Sequence, residues 1–319
     1  MTDADIDLVG DIGATNARFA LVRAGGSLSS VRLYIAADYS SPQAAIETYL
    51  AEVSPARQPR RAVLAVASPV TGDQITMTNH PWTFSVKALQ QRFGLKCLLV
   101  VNDFAANAVA IPHLGEKDRI QIGGGEPVNN APIGVIGPGT GLGVSVLVPT
   151  AGGPITIAGE GGHVTMTPAS AEESAIIDLM RQRYDHVSAE RLLSGPGLVN
   201  LYNVRCELTK TLAASYTAEQ ITSPLIWDQD PRTREATELF CAMLGTVAGN
   251  LALTLGARGG IYIAGGIVPH MASFFAQSGF RTRFETKGRL REYLAAIPTY
   301  LIMQPLLGLV GAAVLLDKT

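Results

Sequence analysis

Two segments of this 319-residue chain share one plan, and this repetition limits the folds that the chain can adopt. The first, IDLVGDIGATNARFALVRAG at 6–25, has two apolar runs joined by a turn of Gly, Asp and Asn, which predicts a β-hairpin. The second, PIGVIGPGTGLGVSVLVP at 132–149, again has an apolar strand, a glycine-rich turn and an apolar strand. The plan repeats although the residues differ, so we predict two similar domains that each begin with a hairpin.

The composition is typical of a soluble α/β enzyme whose sheets are covered on both faces. Hydrophobic residues make up 47% of the chain and charged residues 16%, and there are 33 glycines. The formal net charge is −2, and the Lys and Arg residues form no dense run. We therefore expect no nucleic-acid partner.

The cysteines and the chain ends predict a cytoplasmic protein without membrane contact. Cys97, Cys206 and Cys241 are odd in number and far apart, and the chain lacks the C-x-x-C pairs of a zinc site, so we expect reduced thiols. The N-terminal MTDADID has no basic and apolar leader. The apolar tail LLGLVGAAVLL at 306–316 is too short to span a bilayer.

An amide and a carboxylate, Asn102 and Asp103, follow the apolar run KCLLVV. The run predicts a buried strand, and DFAANAVAI predicts a helix that begins at Asp103. In open α/β sheets this strand-to-helix edge is where ligands bind. The alternative is that Asp103 only caps the helix.

Other segments carry clear start and stop signals. A Ser N-cap and Pro42 predict a helix at 40–53, and Ser85 and Gly94 bound a short helix at 85–94. Two further strands are predicted, one in the run 60–70 that ends at Pro69 and one in the segment 259–269 that breaks at Gly265-Gly266. Further predictions are a helix at 170–184 with a capping box of Ser170 and Glu173, a helix at 231–257, and a Gly-Pro-Gly break at 195–197.

The turn DIGATN at 11–16 favours a phosphate site, although an ordinary hairpin turn remains open. Its backbone N–H groups and the Thr15 hydroxyl could face phosphate oxygens, and Asp11 could hold Mg²⁺ through water.

The turn GPGTGLG at 137–143 allows close approach of a ligand to the backbone. It lacks the spacing of a Rossmann fingerprint, and the chain contains no Gly-Lys pair of a P-loop. The later AGGIVP at 264–269 could lie against a base or ribose, or could be a plain turn.

Glu160 and His163 are three residues apart in the glycine-rich GEGGHV. A sugar hydroxyl both donates and accepts, so carboxylates beside imidazole or amide groups suit a polyol. The alternatives are a surface Glu and a satisfied loop His. Glu190 alone is typical of a solvated helix start, and Ser68, Asn79 and His80 are further possible pocket groups.

In this order and spacing, DIGATN, ASPV, TNHPW, VNDF, GPGTGLG, EGGHV, SAERLLSGPGLVNLY and AGGI resemble the motifs of bacterial ATP-dependent glucokinases. The resemblance extends essentially from end to end. It implies a two-domain α/β actin-like ATPase (ribonuclease H-like) fold with a central cleft, a homodimer, and the first step of glycolysis. The implied domains are 1–110 plus 302–319, and 111–301. The zinc-bearing cysteine motif of the related sugar-kinase and repressor family is absent.

The resemblance implies a role for each matching residue. Glucose would contact Asn102, Asp103, Glu160, His163 and Glu190, with Asp103 as the general base for phosphoryl transfer from MgATP to the 6-hydroxyl. The nucleotide-binding residues would be Asp11, Gly13, Ala14, Thr15, Asn16, Gly139, Thr140, Gly141, Gly265 and Gly266, with Asp11 bound to Mg²⁺ through water.

Ala14 departs from the family, which commonly has a second glycine there, and a methyl group is tolerated if φ stays negative. Three alternative functions remain open: a kinase of another hexose, a non-catalytic sugar-binding regulator on the same fold, and an actin-like ATPase.

Overall fold

The structure, a computed structural model, describes residues 6–23 and 26–317. Residues 24 and 25 of the predicted first hairpin, most of the N-terminal MTDADID and the last two residues lie outside this range. The strands are β1 Asp7–Ile12, β2 Asn16–Val22, β3 Leu28–Ile35, β4 Arg61–Val66, β5 Gln74–Thr76, β6 Thr83–Ser85, β7 Cys97–Asn102, β8 Arg119–Ile122, β9 Ile133–Pro138, β10 Leu142–Val148, β11 Ile155–Gly159, β12 Ile261–Ile263 and β13 Thr299–Ile302. The helices are α1 Pro42–Val53, α2 Val86–Arg92, α3 Asp103–Ala110, α4 Ala171–Arg181, α5 Gly195–Leu208, α6 Ala218–Ile221, α7 Pro224–Trp227, α8 Pro231–Leu255, α9 Ala272–Gln277, α10 Phe280–Glu285, α11 Arg291–Ala295 and α12 Leu307–Leu316.

The chain divides into two compact units. The first contains residues up to 114, residues 156–158 and residues from 304 onward; the second contains 115–155 and 159–303. The domain boundaries expected from the sequence stay a prediction.

The first unit is built on a five-stranded sheet in the order β3-β2-β1-β4-β7. β1 and β2 form the predicted antiparallel hairpin, and β1, β4 and β7 run parallel. The carboxyl ends of these three strands therefore meet at one edge, which places the residues after each strand near one another. A small antiparallel pair, β5 and β6, follows β4.

The core of the first unit lies between its sheet and the helices that cover it. Phe19, Tyr34 and Tyr49 pack with ring centroids 5.6–6.4 Å apart, and Phe19 and Tyr49 are fully buried. On α12, Gly311 lies so close to α3 that a Cβ there would overlap the Ala106 carbonyl oxygen. α12 belongs to this unit, so the C-terminal apolar segment is a buried helix of the first unit.

The second unit has a six-stranded sheet in the order β11-β10-β9-β12-β13-β8. β9 and β10 form the second predicted hairpin, and β9, β12 and β13 run parallel, so both sheets combine a hairpin with parallel strands. β12 has three residues and ends before Gly265 and Gly266, where the sequence predicts that the strand breaks.

The helices of the second unit bury a separate core around α8. Phe240 and Leu244 of α8 are fully buried in one cluster with Phe280 and Phe284 of α10. Within the described residues, α8 is the one helix that is long and apolar enough by length and composition to cross a membrane, and half of its most apolar window is buried. Core helices of soluble proteins share these properties, so this helix is weak support for a membrane segment.

Two local predictions in this unit were wrong. Ser170 caps α4 by accepting the Glu173 N–H, but the Glu173 carboxylate does not return to Ser170; it accepts the Ala169 N–H and pairs with Arg283 at 2.7 Å. Glu173 is fully buried, and a buried carboxylate requires a charged partner more than a second cap bond. Residues 195–197 do not break the chain, because Ser194 caps them as the first turn of α5.

Candidate active site

Asn102, and not Asp103, caps helix α3. The Asn102 side-chain oxygen accepts the Ala105 N–H at 3.1 Å, and its amide nitrogen donates to the Ser68 carbonyl at 3.4 Å. The predicted helix start at Asp103 is confirmed, and the alternative in which Asp103 caps the helix is wrong. Asn102 has the extended backbone of an N-cap, and Asp103 is the first helical residue.

Asp103 therefore lies at the positive end of α3, at the carboxyl edge of the sheet. One of its oxygens accepts the Phe104 N–H at 2.9 Å, which fixes the direction of the carboxylate. The side chain is partly exposed, as a group that must reach a ligand requires. Asp103 is positioned by the backbone without acting as the cap.

Ser68 joins the end of β4 to the TNHPW turn. Its buried hydroxyl accepts the Thr78 N–H at 2.8 Å. In that turn, the His80 ring packs edge-on against Trp82, with centroids 4.7 Å apart. Throughout residues 6–23 and 26–317, His80 Nδ1 is the one buried side-chain polar atom without a hydrogen-bond partner.

The first hairpin turn is held by its own backbone. The Gly13 N–H donates to the Asn16 carbonyl at 2.8 Å, and the Ala36 N–H donates to the Thr15 carbonyl at 2.9 Å. The Thr15 side chain is exposed. Ala14 keeps a negative φ, so its methyl group is tolerated in this turn.

Asp11 stands near the end of β1 in a confined position. Burial raises the pKa of its carboxyl group, and Arg18, with Nη1 3.6 Å from an Asp11 oxygen, opposes the rise. A Cβ at Gly308 of α12 would lie 2.7 Å from the Asp11 carboxyl carbon, so glycine there makes room for the carboxylate.

The donor set around Asp11 suits Mg²⁺ held through water. Mg²⁺ keeps several waters and is usually bound by one or two carboxylates together with substrate phosphates. Within the described residues, no three His, Cys, Asp or Glu side chains are arranged to hold a metal ion. A single partly exposed carboxylate fits an ion whose other ligands are phosphates and water.

In the second unit, the turn Gly139–Gly141 is tied to helix α5. The Gly139 N–H donates to the Gly141 carbonyl, and the Gly195 N–H donates to the Gly139 carbonyl, both at 2.8 Å. Ser194 caps the same helix end by accepting the Gly197 N–H. One N–H of the first turn of α5, that of Gly195, thus positions the glycine turn. The Thr140 side chain is exposed.

Glu190 contacts the same turn through its side chain. Its Oε2 accepts the Leu142 N–H at 2.8 Å. A Cβ at Gly141 would overlap this oxygen, so the contact requires glycine at that position. Glu190 is therefore not the solvated helix start that its local sequence suggests.

Glu160 and His163 lie in the loop beside Glu190. Residues Gly161–His163 form a short 3₁₀ helix, and the Glu190 N–H donates to the Gly162 carbonyl at 2.9 Å. A Cβ at Gly162 would overlap the Leu142 carbonyl oxygen. The Glu160 and His163 side chains are 60% and 51% exposed, with 3.9 Å between Oε2 and Nε2, so both are open to a ligand.

Gly265 follows β12 and lies against the end of β9. The Ala264 N–H donates to the Ile136 carbonyl at 2.8 Å. Gly265 has φ of +84°, and a Cβ there would overlap the Pro138 carbonyl oxygen. Gly265 and Gly266 are both exposed, so this turn presents bare backbone beside Gly139.

The structure thus brings the expected residues together within each unit. Asp11, Asn102 and Asp103 share one sheet edge, while Gly139, Glu160, Glu190 and Gly265 converge at the second hairpin turn. The sequence reasoning missed the Leu142 N–H and Gly195 as parts of the second group. Glycine after Thr140 and the Ser-Gly-Pro-Gly helix start were the signals that could have revealed them.

Comparisons with known proteins identify the family of the chain. The model of the Glucokinase family matches residues 8–319. A glucokinase of Paramagnetospirillum magneticum is 52% identical over 307 residues, which is 96% of either chain. The chain belongs to the glucokinase family.

Solved structures place the chain in the same family and fold. A glucokinase from an Antarctic psychrotroph matches with a TM-score of 0.86 and 37% identity over 99% of either chain. A ROK family glucokinase from Streptomyces griseus, solved with glucose and AMPPNP, matches with a TM-score of 0.69 over 98% of this chain and 100% of that chain. At 19% identity the latter shows the fold alone. The expected α/β actin-like ATPase fold is confirmed for this family member.

Proposed function

We propose that the chain transfers the γ-phosphoryl group of MgATP to the 6-hydroxyl of glucose, giving glucose 6-phosphate and ADP. Its membership in the glucokinase family makes it an ATP-dependent glucose kinase. The choice of the 6-hydroxyl, the magnesium ion and the role of each residue belong to the proposal.

The position of the Asp103 carboxylate supports this mechanism most directly. Its carboxylate lies at the carboxyl edge of the first sheet, oriented by the Phe104 N–H, while the neighbouring Asn102 supplies the cap. We assign to it the proton of the attacking hydroxyl. The phosphoryl transition state is loose, so an ordinary carboxylate in the right place suffices as the base.

The remaining sugar contacts are proposed to come from carboxylates, which accept hydrogen bonds, and from an amide and an imidazole, which can also donate. We propose that glucose contacts Asn102, Glu160, His163 and Glu190 in addition to Asp103. The exposure of Glu160 and His163 supports this, because groups that bind a hydroxylated ligand must be accessible.

The two glycine turns are proposed to hold the ATP phosphates. Thr15 and Thr140 each present an exposed side chain at a turn whose backbone is fixed by its own hydrogen bonds. We place the nucleoside near Gly265 and Gly266, where bare backbone is exposed. The other members of the proposed nucleotide site are Asp11, Gly13, Ala14, Asn16, Gly139 and Gly141.

Magnesium would offset negative charge on the transferring phosphoryl group. Asp11 would hold it through water, with the phosphates as its other ligands. We further propose that the protein acts in the cytoplasm as a homodimer, in the first step of glycolysis, without nucleic-acid or membrane partners.

A coupled assay of ADP release tests the proposal. We expect purified protein with MgATP to release one ADP for each glucose consumed, and the phosphorylated product to be glucose 6-phosphate. A panel of mannose, fructose and glucosamine distinguishes a kinase of another hexose. Sugar binding without phosphorylated product would indicate a regulator, and ADP release indifferent to sugar would indicate an ATPase; either result contradicts the proposal.

A further inference from the structure

The Glu190 side chain has two oxygens in different situations. Oε2 accepts the Leu142 N–H of the second glycine turn. Within residues 6–23 and 26–317, Oε1 has no hydrogen-bond partner. The side chain is partly exposed, so this second oxygen is accessible to a ligand.

Glu190 supplies one of the few hydrogen bonds that hold the turn Gly139–Gly143 in place. The Gly139 N–H and carbonyl are used within the turn and by Gly195, and the Leu142 N–H is used by Glu190. The backbone of Glu190 is fixed independently, because its N–H donates to Gly162 and its carbonyl accepts the Ser194 hydroxyl at 2.8 Å. A rigidly held carboxylate therefore holds the turn from one side.

We propose that Glu190 is a positioning residue for the nucleotide: Oε2 holds the turn Gly139–Gly143 in the shape that accepts phosphates, while Oε1 takes a sugar hydroxyl. This inference rests on the proposed function and extends it. One side chain then connects the acceptor and donor sites, and loss of its carboxylate weakens nucleotide binding even without sugar.

The test is calorimetric titration of the full chain with ADP, AMPPNP and adenosine, without glucose. For Glu190→Ala we expect the Kd of ADP and AMPPNP to rise about tenfold, the effect of losing one charged hydrogen bond that positions the turn. The Kd of adenosine stays unchanged, because adenosine has no phosphates. A general loss of structure would weaken the binding of all three ligands.

Two further variants separate the hydrogen bond from the charge. In Glu190→Gln the amide oxygen still accepts the Leu142 N–H, so we expect ADP affinity within about twofold of the unsubstituted protein and a raised glucose KM. Gly141→Ala places a methyl group where Oε2 lies, in a backbone conformation that alanine adopts without strain. We expect Gly141→Ala to weaken ADP binding as much as Glu190→Ala does. The double variant should bind ADP no more weakly than either single variant.

A matched pair elsewhere in the second unit provides the control. Glu238 Oε1 accepts the Gly279 N–H at 2.6 Å, and a Cβ at Gly279 would lie 3.1 Å from that oxygen. Glu238→Ala and Gly279→Ala thus disturb the same kind of contact away from the glycine turns, and we expect no change in ADP affinity.

Unchanged ADP affinity in Glu190→Ala would overturn the inference, as would equal weakening by Glu190→Gln or by Glu238→Ala. These titrations contain no sugar and no turnover, so a failure of glucose phosphorylation leaves their result intact. If the unsubstituted protein bound neither ADP nor AMPPNP, both the proposed function and this inference would be wrong.

Discussion

Asn102 and Asp103 divide between them two tasks at the edge of the first sheet. The amide of Asn102 caps α3 and donates to the Ser68 carbonyl, which holds the side chain in place and leaves one N–H and one lone pair for the proposed sugar contact. Asp103 enters the helix as its first residue, where the helix dipole favours a negative charge. This division lets the proposed base occupy a fixed position while another residue caps the helix.

Asp103→Asn is expected to lower kcat by about 10²–10⁴-fold with a small change in the glucose KM, because the amide cannot accept the hydroxyl proton. Its oxygen can still accept the Phe104 N–H, so the local fold is retained. Steady-state kinetics measure both constants. Asp73→Asn is the control, since Asp73 also accepts a backbone N–H, from Lys87 at 2.8 Å. Near-normal turnover of Asp103→Asn would refute the base assignment.

Asp11, a member of the proposed nucleotide site, also affects the stability of the fold. Burial raises its pKa above the ordinary 3.8, so the folded state binds its proton more tightly than the unfolded chain does. The contribution of this carboxyl group is therefore most favourable below pH 3.8, and it is lost as pH rises through the raised pKa.

Asp11→Asn removes the free-energy cost of burying an ionised carboxylate. It leaves Arg18, which is 35% exposed, free to be hydrated. We expect the variant to have a higher free energy of unfolding at neutral pH, with a difference from the unsubstituted protein that grows as pH rises from about 4. Thermal unfolding at a series of pH values measures it. A difference that shrinks as pH rises would contradict the reasoning.

At the scale of elements, α12 illustrates how small residues bring a helix onto the sheet. Gly308 faces the Asp11 carboxylate and Gly311 faces the backbone of α3, while Arg61 of β4 donates to the Leu316 carbonyl at 2.9 Å. The glycines of LLGLVGAAVLL thus set the distance between α12 and the elements it covers.

Gly311→Ala is expected to destabilise the protein by about 1–3 kcal/mol, because its methyl group must displace the Ala106 carbonyl and the turn of α3 that contains it. Guanidinium unfolding gives the free energy. Gly72→Ala, with no atom within 4 Å of the added Cβ, is the control and should leave stability nearly unchanged. Equal free energies of unfolding for the two variants would show that α3 can shift without destabilising the protein.

The elements most easily predicted from sequence were those with local signals. Both hairpins were predicted from paired apolar runs around glycine turns, and Ser41 and Ser85 cap α1 and α2 as their patterns indicate. Local signals failed where a distant partner decides the outcome. The Glu173 carboxylate turns to Arg283, more than a hundred residues away, and no sequence window contains both.

The candidate site shows the same limit. The motifs predict which residues belong to it, but the contact of Glu190 with Leu142 joins two segments 48 residues apart. Only the fold shows that a carboxylate expected for sugar also supports the glycine turn. Residue type and spacing indicate the chemistry of a site, whereas tertiary contacts determine which atoms of it are occupied.

At the scale of the whole molecule, the two units share a similar arrangement of strands but have separate hydrophobic cores. The buried cluster around Phe19 and Tyr49 lies in the first unit, and the cluster around Phe240 and Phe280 lies in the second. In each sheet, the glycine turn joins the two strands of the hairpin, β1 and β2 in the first unit and β9 and β10 in the second. The repeated plan of the sequence is thus a repeated arrangement of strands.

The proposed homodimer is tested at this scale. We expect a species of twice 33.6 kDa in sedimentation velocity at micromolar concentration. Exposed apolar side chains such as Leu33 and Ile155, 56% and 53% exposed, provide surface that association could cover. A single species of 33.6 kDa across the concentration range would rule the dimer out.

The three thiols give the chain a built-in attachment point for spectroscopic probes. Cys206 and Cys241 are buried and thus shielded from reagents, and burial raises the pKa of the Cys241 thiol to about 12. Cys97 is half-buried at the start of β7, the strand that ends in Asn102. We expect a thiol reagent to modify Cys97 first in the native protein and all three cysteines in denaturant. A fluorophore on Cys97 would then report ligand binding from the strand that carries the proposed catalytic edge.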